Sequence, residues 1–359
     1  MKIEHTKTKT DMVEIDWSKL SFSYTKTRAI VYSRCINGEW EAPVLTEDFN
    51  LPLSSFAGVF HYAPACFEGL KAFRGVDGKI RLFRPDMYAK RMADSASYLD
   101  MPFPSEKMFI DMCITCVKEN LDYLPPYEVA SASLYLRPAL FGINPQLGIH
   151  SASDVMFVVM CSPVGTYSGA KSLLPGTAVL SRNYDRASTY GSGCYKLGAN
   201  YAQSLHAYNI AHNAGYRELL FLDSATKTTI EEFGSSNFFA IKGNTYVTPL
   251  SHSVLPSITN ASLRTVAADM GMDVEMRPIR VEELAEFDEV NSCGTAVVIT
   301  PICSIDDKPT LEGSEITRRY TFGSPEKCGE ISEKLYRKII GIQRGHEEDP
   351  RGWCVFIDE

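Results

Sequence analysis

The sequence has no apolar run long enough to cross a membrane. A membrane-spanning helix needs roughly 18 or more consecutive apolar residues, and polar or charged residues interrupt every apolar stretch of this chain earlier. The N-terminal stretch MKIEHTKTKTDMVEIDW lacks the apolar core of a secretion signal, and it contains acidic residues but no arginine. We therefore expect no membrane partner, no export and no transit into an organelle.

Excess positive charge is also missing. The chain has 36 Lys and Arg against 44 Asp and Glu, which gives a formal net charge of −8. Proteins that bind nucleic acid are more often basic, so we expect no nucleic-acid partner. Hydrophobic residues make up 45% and charged residues 22% of 359 residues, a composition typical of a globular protein large enough for two domains.

Cysteine pairs with the spacing of a metal site are scarce. Ten cysteines are scattered singly, apart from Cys113 and Cys116 in the amphipathic helical pattern KMFIDMCITCVKEN. No second pair or spaced histidines complete a zinc site, so we expect this pair to be packed in a core and no metal to be bound. Scattered thiols without an export signal predict a reducing, cytoplasmic location.

A Gly-x-Gly-x-x-Gly motif after a predicted strand is absent too, which argues against an NAD-dependent dehydrogenase. The chain instead has a lysine among small residues. Lys196 lies in YGSGCYKLGANY, close to Gly193, Gly198 and Tyr195. Aromatic neighbours exclude water and make an amine more nucleophilic, and such a lysine can hold an aldehyde cofactor covalently. On local composition alone, a solvated lysine in a Gly-rich loop is the commoner case.

Two acidic residues form a second candidate feature. Glu231 and Glu232 follow the strand-like run RELLFLD and a polar turn, and they precede Phe233-Gly234-Ser235-Ser236. Pyridoxal phosphate needs an acid beside its ring nitrogen if the ring is to accept electrons. A carboxylate in a loop lined by Gly and Ser would suit that role, and an ordinary acidic pair at the end of a strand is the alternative.

Together these stretches resemble the branched-chain amino acid aminotransferases, which are fold-type IV pyridoxal phosphate enzymes. The similarity extends from about Phe22 to Ile305 and includes seven motifs in the family's order: CFEGLKAFRG (66–75), RLFRPDMYAKRM (81–92), SLYLRPALFG (133–142), YKLGANY (195–201), EEFGSSNFF (231–239), VLPSITNASLR (254–264) and SCGTAV (292–297). The resemblance implies an α+β or α/β fold with two α/β domains and the cofactor between them. It also implies a homodimer.

The resemblance assigns the cofactor residues. Lys196 is expected to hold pyridoxal 5'-phosphate as a Schiff base, Glu232 to keep the ring nitrogen protonated, and Tyr201 to bond the ring hydroxyl. The other expected cofactor residues surround the phosphate: Arg91, Arg186, Ile258, Thr259 and Thr295. Ser257 and the first N–H groups of a predicted helix at 257–271 suit an anion, although a plain capped helix is the simpler interpretation of that pattern alone.

The resemblance also assigns a substrate pocket, formed by Phe22, Tyr62, Phe67, Tyr135, Arg137, Ser235 and Ala296. Its aromatic residues would face L-leucine, L-isoleucine, L-valine or their 2-oxo acids. Arg137 would pair with the second carboxylate of L-glutamate or 2-oxoglutarate, and the N–H groups at Thr295 and Ala296 would bind the α-carboxylate. From the residues alone, core packing of the aromatics and a structural ion pair of Arg137 stay open.

The implied activity is reversible transfer of an amino group between a branched-chain amino acid and 2-oxoglutarate. Within the fold class, a D-amino acid aminotransferase or an aminodeoxychorismate lyase is the alternative, and YLRP with SCGTAV favours the branched-chain enzyme. A non-catalytic pyridoxal phosphate carrier would need Lys196 but not Glu232 or Arg137. The redox-active Cys-x-x-Cys that follows the GTA turn in mammalian members is replaced here by AVVIT.

Turn and helix signals predict the organisation of the chain. Asn37-Gly38 and Asp77-Gly78 each predict a β-hairpin, and Pro85 is expected to open a helix. A Gly-, Ser- and Pro-rich stretch without periodicity predicts a linker. We therefore expect a smaller N-terminal α/β domain at 1–165, a linker at 166–178, and a larger domain at 179–359 that carries the cofactor lysine.

Overall fold

The described parts of the chain form strands with five interspersed α-helices. The computed structural model describes residues 4–6, 15–129, 132–165 and 173–358. Within these ranges the strands are β1 (Glu4–Thr6), β2 (Ile30–Ile36), β3 (Glu39–Trp40), β4 (Val44–Thr46), β5 (Ala65–Phe67), β6 (Leu70–Arg74), β7 (Ile80–Phe83), β8 (Ser133–Gly142), β9 (Val155–Val164), β10 (Gly176–Ser181), β11 (Glu218–Leu222), β12 (Ile230–Phe233), β13 (Asn237–Lys242), β14 (Thr245–Pro249), β15 (Asp273–Arg277), β16 (Glu289–Gly294), β17 (Val298–Asp307), β18 (Arg318–Thr321) and β19 (Cys354–Ile357). The α-helices are α1 (Pro85–Tyr98), α2 (Glu106–Glu119), α3 (Gly198–Asn213), α4 (Ile258–Asp269) and α5 (Glu330–Arg344). No helix in the described ranges has the length and apolar character needed to cross a bilayer.

The chain divides into two compact units. Unit 1 consists of Met1–Gly169, Lys196–Gly198 and Gly341–Glu359, and unit 2 consists of Ala170–Tyr195 and Ala199–Ile340. The division differs from a simple cut of the sequence, because the lysine segment and the C-terminal segment belong to unit 1. The C-terminal segment does so because β19 pairs with β7 in an antiparallel ladder.

The predicted linker at 166–178 falls largely on residues outside the described ranges. Residues 166–172 are not described, and 176–178 are the first residues of β10 rather than part of a linker. Strand β10 pairs with both β11 and β17, so its backbone groups are bonded on two sides. The position of the boundary between the domains stays a prediction.

Unit 1 is built on a twisted, mostly antiparallel sheet with the strand order β1-β4-β2-β9-β8-β6-β7-β19. Side chains alternate between the two faces of a strand, and β8 shows the alternation clearly. Leu134, Leu136 and Leu140 are fully buried, whereas Tyr135 and Arg137 are only partly buried. Helix α2 packs against β2, β8 and β9, so β8 has an apolar face and a second face that carries both polar site candidates.

Both hairpins of unit 1 form at the predicted turns. β2 pairs with β3 around Asn37 and Gly38, whose φ angles are +53° and +83°, as a tight two-residue turn requires. β6 pairs with β7 around Asp77-Gly78. Pro85 begins α1 as predicted, because a proline at the first helical position loses no intrahelical hydrogen bond.

Unit 2 contains a closed ring of strands. Its sheet has the order β12-β11-β10-β17-β16-β13-β14-β15, and β12 also pairs with β13, which closes six strands on themselves. Strand β11 is buried on both faces: Leu220 and Leu222 belong to one apolar cluster, and Leu219 and Phe221 to another. This explains why the run LLFL at 219–222 is continuously apolar instead of alternating.

Two local details of unit 2 bear on the site. Ser257 caps α4, since its hydroxyl accepts the N–H of Asn260 at 3.1 Å, as predicted. Glu231 and Glu232, which we expected in a loop, lie on β12 and are buried. The Gly- and Ser-rich composition belongs to the three residues 234–236, which form the turn of the β12–β13 hairpin.

All ten cysteines are free thiols. Cys113 and Cys116 lie on α2 and are fully buried, as the amphipathic pattern predicts. Cys293 is buried on β16, and Val297 and Thr300 follow it, so the described chain has no Cys-x-x-Cys pair at the turn after β16. Among the described residues, no group of three or more His, Cys, Asp and Glu could hold a metal ion.

Candidate active site

In unit 1, the backbone of Lys196 is bonded on both sides. Its N–H donates to the Oγ of Ser95 at 3.0 Å, and its carbonyl accepts the N–H of Phe67 at 3.1 Å. Leu197 forms a β-bridge with Cys66. The Nζ atom of Lys196 lies 4.9 Å from the centre of the Phe67 ring. The lysine is therefore held by β5 and α1, and its amine lies beside the ring of Phe67, a residue distant in the sequence.

The same hydroxyl of Ser95 connects Lys196 to the helix that carries Arg91. Ser95 is fully buried, and its O–H donates to the carbonyl of Arg91 at 2.9 Å, one turn earlier on α1. Residues four apart lie on one face of a helix. One face of α1 thus presents Arg91 and also anchors the backbone of Lys196.

Arg91 forms a bidentate ion pair with Glu68. Nε and Nη2 of Arg91 lie 2.7 Å from Oε1 and Oε2 of Glu68, whose side chain is fully buried. Two of the five N–H donors of the guanidinium are used in this way, which leaves its plane fixed. The pair sets the orientation of the arginine that we expect at the cofactor phosphate.

Four of the predicted substrate residues form one cluster in unit 1. The Cζ atom of Arg137 lies 4.7 Å from the Phe67 ring centre and 5.3 Å from that of Tyr135. The Phe22 and Tyr135 rings meet edge to face at 4.9 Å. Apolar ring surface and one guanidinium thus share a face, which suits both an aliphatic side chain and a carboxylate.

Arg137 has no carboxylate partner within ion-pair distance among the described residues. Its Nη2 donates to the Tyr135 hydroxyl at 3.1 Å, and its buried Nε has no hydrogen-bond partner in the described part of the chain. A partly buried cation with unused donors fits an anionic ligand better than a structural ion pair. Tyr62 is not part of the cluster formed by Phe22, Phe67, Tyr135 and Arg137. Its hydroxyl donates to the Leu147 carbonyl at 2.6 Å, and no ring contact or hydrogen bond in the described ranges joins it to those four residues.

In unit 2, Glu232 is buried and has several partners. Its Oε1 accepts the N–H of Leu255 at 2.9 Å and lies 2.7 Å from Nη2 of Arg186, while its Oε2 accepts the amide of Asn237 at 2.7 Å. Burial raises the pKa of the Glu232 carboxyl, although Arg186 and these donors act against the rise. A cationic ring N–H would act in the same direction as Arg186 and favour the ionised acid.

Arg186 lies against this acid. Its Nη2 also donates to the Gly193 carbonyl at 2.9 Å and to the Ser253 carbonyl. Arg186 therefore forms an ion pair with the acid that we expect at the ring nitrogen, and its contact with the cofactor phosphate stays a prediction. A side chain at Gly193 would overlap both the Ser253 carbonyl and the guanidinium, which explains the small residue there.

The start of α4 presents backbone N–H groups of the kind that favour an anion. The N–H groups of Ile258 and Thr259 have no acceptor in the described ranges, and both residues are buried. Such groups at a helix N-terminus favour a phosphate. These N–H groups suit the phosphate of pyridoxal 5'-phosphate, and the acceptor position left on Glu232 suits its ring N–H.

The remaining predicted residues of unit 2 lie in turns and on α3. Ser235 is exposed in the β12–β13 turn, and Thr295 and Ala296 form the β16–β17 turn. Gly294 faces Ser236, so the two turns are neighbours. Val298 has a φ of +64°, an unusual value for a β-branched residue, and β17 begins there. Tyr201 lies in the first turn of α3.

The sequence did not identify three polar residues that hydrogen-bond the predicted site residues: Glu68, Ser95 and Asn237. Glu68 and Asn237 stand inside the quoted motifs CFEGLKAFRG and EEFGSSNFF. An Asn five residues after an acid, across a Gly-Ser turn, is the spacing of two facing positions in a hairpin. That spacing could have identified Asn237, whereas the partners of Glu68 and Ser95 depend on distant segments.

Comparisons with known proteins support the same family. The family described as amino-transferase class IV matches residues 65–305. The branched-chain-amino-acid aminotransferase of Helicobacter pylori is 40% identical over 349 residues, which are 97% of this chain and 99% of that protein. The crystal structure of the Escherichia coli branched-chain amino acid aminotransferase has a TM-score of 0.74 at 26% identity and covers 93% of this chain and 100% of its own. A T.th. branched-chain amino acid aminotransferase with pyridoxamine 5'-phosphate has a TM-score of 0.76 at 22% identity, with coverage of 93% and 100%, and so shows the shared fold.

Proposed function

The chain belongs to the class IV aminotransferase family, and we infer that it is a pyridoxal phosphate-dependent transaminase of branched-chain amino acids. It exchanges the amino group of L-leucine, L-isoleucine or L-valine with 2-oxoglutarate and forms the 2-oxo acid and L-glutamate. The observation that carries this conclusion is identity of 40% along almost the full length of a relative with that activity in its name. The motifs on both units support it.

The bound cofactor supplies an aldehyde for the substrate amine and a protonated ring that accepts electrons from the α-carbon. The amine of Lys196 would hold the cofactor and, as a free amine, would take the proton from the substrate α-carbon. Glu232 holds the proton on the ring nitrogen through an ionised carboxylate next to Arg186. The N–H groups at the start of α4 would hold the phosphate, and Arg91 stays the candidate that the family resemblance assigns to the same group.

The proposed substrate pocket must accept two chemically different side chains. Phe22, Phe67 and Tyr135 present ring surface to the aliphatic side chain of a branched-chain substrate. Arg137 lies over two of these rings and keeps a buried donor for the second carboxylate of L-glutamate. A stacked guanidinium tolerates an apolar neighbour and still pairs with an anion. Ser235, Thr295 and Ala296 are proposed to bind the α-carboxylate end.

We also propose that the protein is a homodimer. Unit 1 exposes a patch made of Phe56, Phe60, Tyr62, Leu147 and Ile149, whose exposed fractions range from 41% to 83%. The two segments of the patch are bonded to each other by Gln146 N–H to Phe56 O and by Tyr62 O–H to Leu147 O. A contiguous apolar patch of this kind marks an association surface. Ile149→Lys should yield monomers in light scattering, whereas Phe356→Lys, at another exposed aromatic, should not.

A cytoplasmic location is proposed from the thiols. Ten free cysteines, most of them buried, fit a reducing compartment, because an oxidising one would select for paired or absent cysteines.

One experiment tests the activity directly. The purified protein should be yellow, and its visible band should change when L-leucine is added and return when 2-oxoglutarate is added. Product analysis should identify the matching 2-oxo acid and L-glutamate. D-alanine is the control substrate, because a D-amino acid aminotransferase would respond to it. A band that responds to D-alanine and not to L-leucine would overturn the proposed substrate class.

A further inference from the structure

Asn237 faces Glu232 across the hairpin that closes the ring of strands in unit 2. The two residues are register partners in the β12–β13 pair, and the Nδ2 atom of Asn237 donates to Oε2 of Glu232 at 2.7 Å. The same Nδ2 donates to the Leu255 carbonyl at 3.1 Å. Both side chains are buried, with exposed fractions of 5% and 3%. Both amide hydrogens of Asn237 are therefore used, and one of them holds the acid.

The amide oxygen of Asn237 connects this acid to α4. It accepts the Nδ2 group of Asn260 at 3.3 Å, and Asn260 is the third residue of the helix. Asn260 also donates to Thr248 Oγ1 at 2.8 Å and accepts the Tyr246 hydroxyl at 3.3 Å. Every member of this network is buried. A satisfied buried network allows few alternative arrangements.

We propose that Asn237 is a positioning residue that aims one oxygen of Glu232 at the ring nitrogen and links that acid to the phosphate-binding start of α4. A carboxylate has about four acceptor positions. Oε1 is occupied by the Leu255 N–H and the Arg186 cation, and Oε2 has one donor, Asn237. The structure thus assigns Oε2 as the oxygen with room for the ring N–H. The inference rests on the role proposed for Glu232.

The chemistry of position 237 requires an amide. Its two donors face two acceptors, Glu232 Oε2 and Leu255 O, and its acceptor faces the donor of Asn260. An aspartate would place a second negative charge beside Glu232 and oxygen against oxygen, which would raise the pKa of the acid. A leucine of similar volume would leave Glu232 with one donor fewer and Asn260 with an unused donor.

The test compares Asn237→Leu with Asn291→Leu. Asn291 is an equally buried asparagine on the neighbouring strand β16, and it bonds Ser332 instead of the acid. We expect both variants to lower Tm. Only Asn237→Leu should lower kcat for L-leucine, by about 10- to 100-fold, and raise the Kd of the apoprotein for pyridoxal 5'-phosphate, measured by absorbance titration. A folded Asn237→Leu protein with parent kcat and parent Kd would overturn the proposal.

Asn237→Asp gives an independent measurement if the leucine variant does not fold. The charged neighbours of Glu232 are Arg186 and Glu231, with the Cys293 thiol nearby, and none of them is altered by the substitution. The acid limb of the kcat/KM profile should therefore move to higher pH in Asn237→Asp and stay in place in Asn291→Asp. An acid limb at the same pH in Asn237→Asp as in the parent protein would overturn the proposal. Parent activity in Glu232→Gln would instead overturn the role proposed for Glu232.

Discussion

The Oγ atom of Ser95 accepts the backbone N–H of Lys196 at 3.0 Å and donates to the carbonyl of Arg91 at 2.9 Å. One hydroxyl, fully buried on α1, thereby joins the backbone of the cofactor lysine to the turn of helix that carries the phosphate-binding arginine candidate. Ser95 and Lys196 are 101 positions apart in the sequence. The position of the Lys196 backbone therefore depends on α1, a helix that lies far from the lysine in the sequence.

Ser95→Ala should loosen the lysine segment. The substitution leaves the partly buried N–H of Lys196 without its acceptor, and losing that hydrogen bond costs on the order of 1 kcal/mol. We expect a lower Tm and a lower kcat with L-leucine. Ser97→Ala is the matched control, because Ser97 is exposed on the same helix. Equal behaviour of the two variants would show that the Ser95 hydroxyl contributes nothing to the position of Lys196.

Lys196→Ala should abolish transamination, because no other group of the proposed site supplies the amine. The variant should still bind the cofactor weakly through the phosphate contacts. Borohydride reduction of the parent protein, followed by peptide mapping, should find the cofactor attached to the peptide that contains Lys196. Lys242→Ala, an exposed lysine paired with Glu286, should leave turnover unchanged. A label on a different lysine would contradict the assignment.

Glu232→Gln should fold and bind the cofactor, yet turn over slowly. A neutral amide cannot hold the proton on the ring nitrogen, and a preorganised charge at a reacting centre contributes on the order of 3 kcal/mol, or about 100-fold in rate. Single-turnover kinetics with L-leucine labelled with deuterium at the α-carbon would locate the loss in the proton-transfer step.

Glu231→Gln is the control for that experiment. Glu231 is the adjacent buried acid on β12, and its Oε1 accepts the hydroxyls of Ser251 and Ser253. The control should retain most of the parent rate. If both variants lost the same activity, the effect would come from disturbing β12 and not from the ring acid.

Arg137→Met should separate the two substrates. The variant keeps an apolar chain of similar length over Phe67 and Tyr135 but loses the guanidinium. Loss of a buried charge pair costs roughly 2–5 kcal/mol, so kcat/KM for L-glutamate and 2-oxoglutarate should fall about 30-fold or more, and that for L-leucine far less. Equal losses in both half-reactions would assign Arg137 a structural role.

Asp223 should make the protein sensitive to acid. Burial opposes ionisation of its carboxyl, but the N–H groups of Thr229, Thr226 and Thr228 outweigh that effect and hold its pKa well below the usual range. A depressed pKa stabilises the fold above the unfolded value of about 4, and this contribution is lost as the pH falls through the folded value.

Asp223→Asn should therefore lower the free energy of unfolding at neutral pH, on the order of 2 kcal/mol for hydrogen bonds to a charged group. The variant's stability should also change less than the parent's as the pH falls below about 4. Urea titrations at several pH values would measure both effects. Parallel pH dependences of the two proteins would remove Asp223 from the acid response.

Local sequence was sufficient for the order of elements, the hairpin turns and the family. Asn37-Gly38, Asp77-Gly78, Pro85 and Ser257 act through the backbone conformation of their own few residues, and all four appear where predicted. The motifs also identify the family, the fold type and the transaminase activity, which the full-length relatives confirm. The individual site roles stay predictions.

Tertiary structure decided which groups meet. Arg186 forms an ion pair with Glu232, Glu68 orients Arg91, and the lysine segment joins the unit of β5 and α1. Glu68 and Arg91 are 23 residues apart, and Ser95 and Lys196 are 101 apart. No turn or periodicity within either segment specifies the other. Their meeting depends on the register of whole sheets and on the desolvation of buried charges, both of which arise only when the complete core is packed.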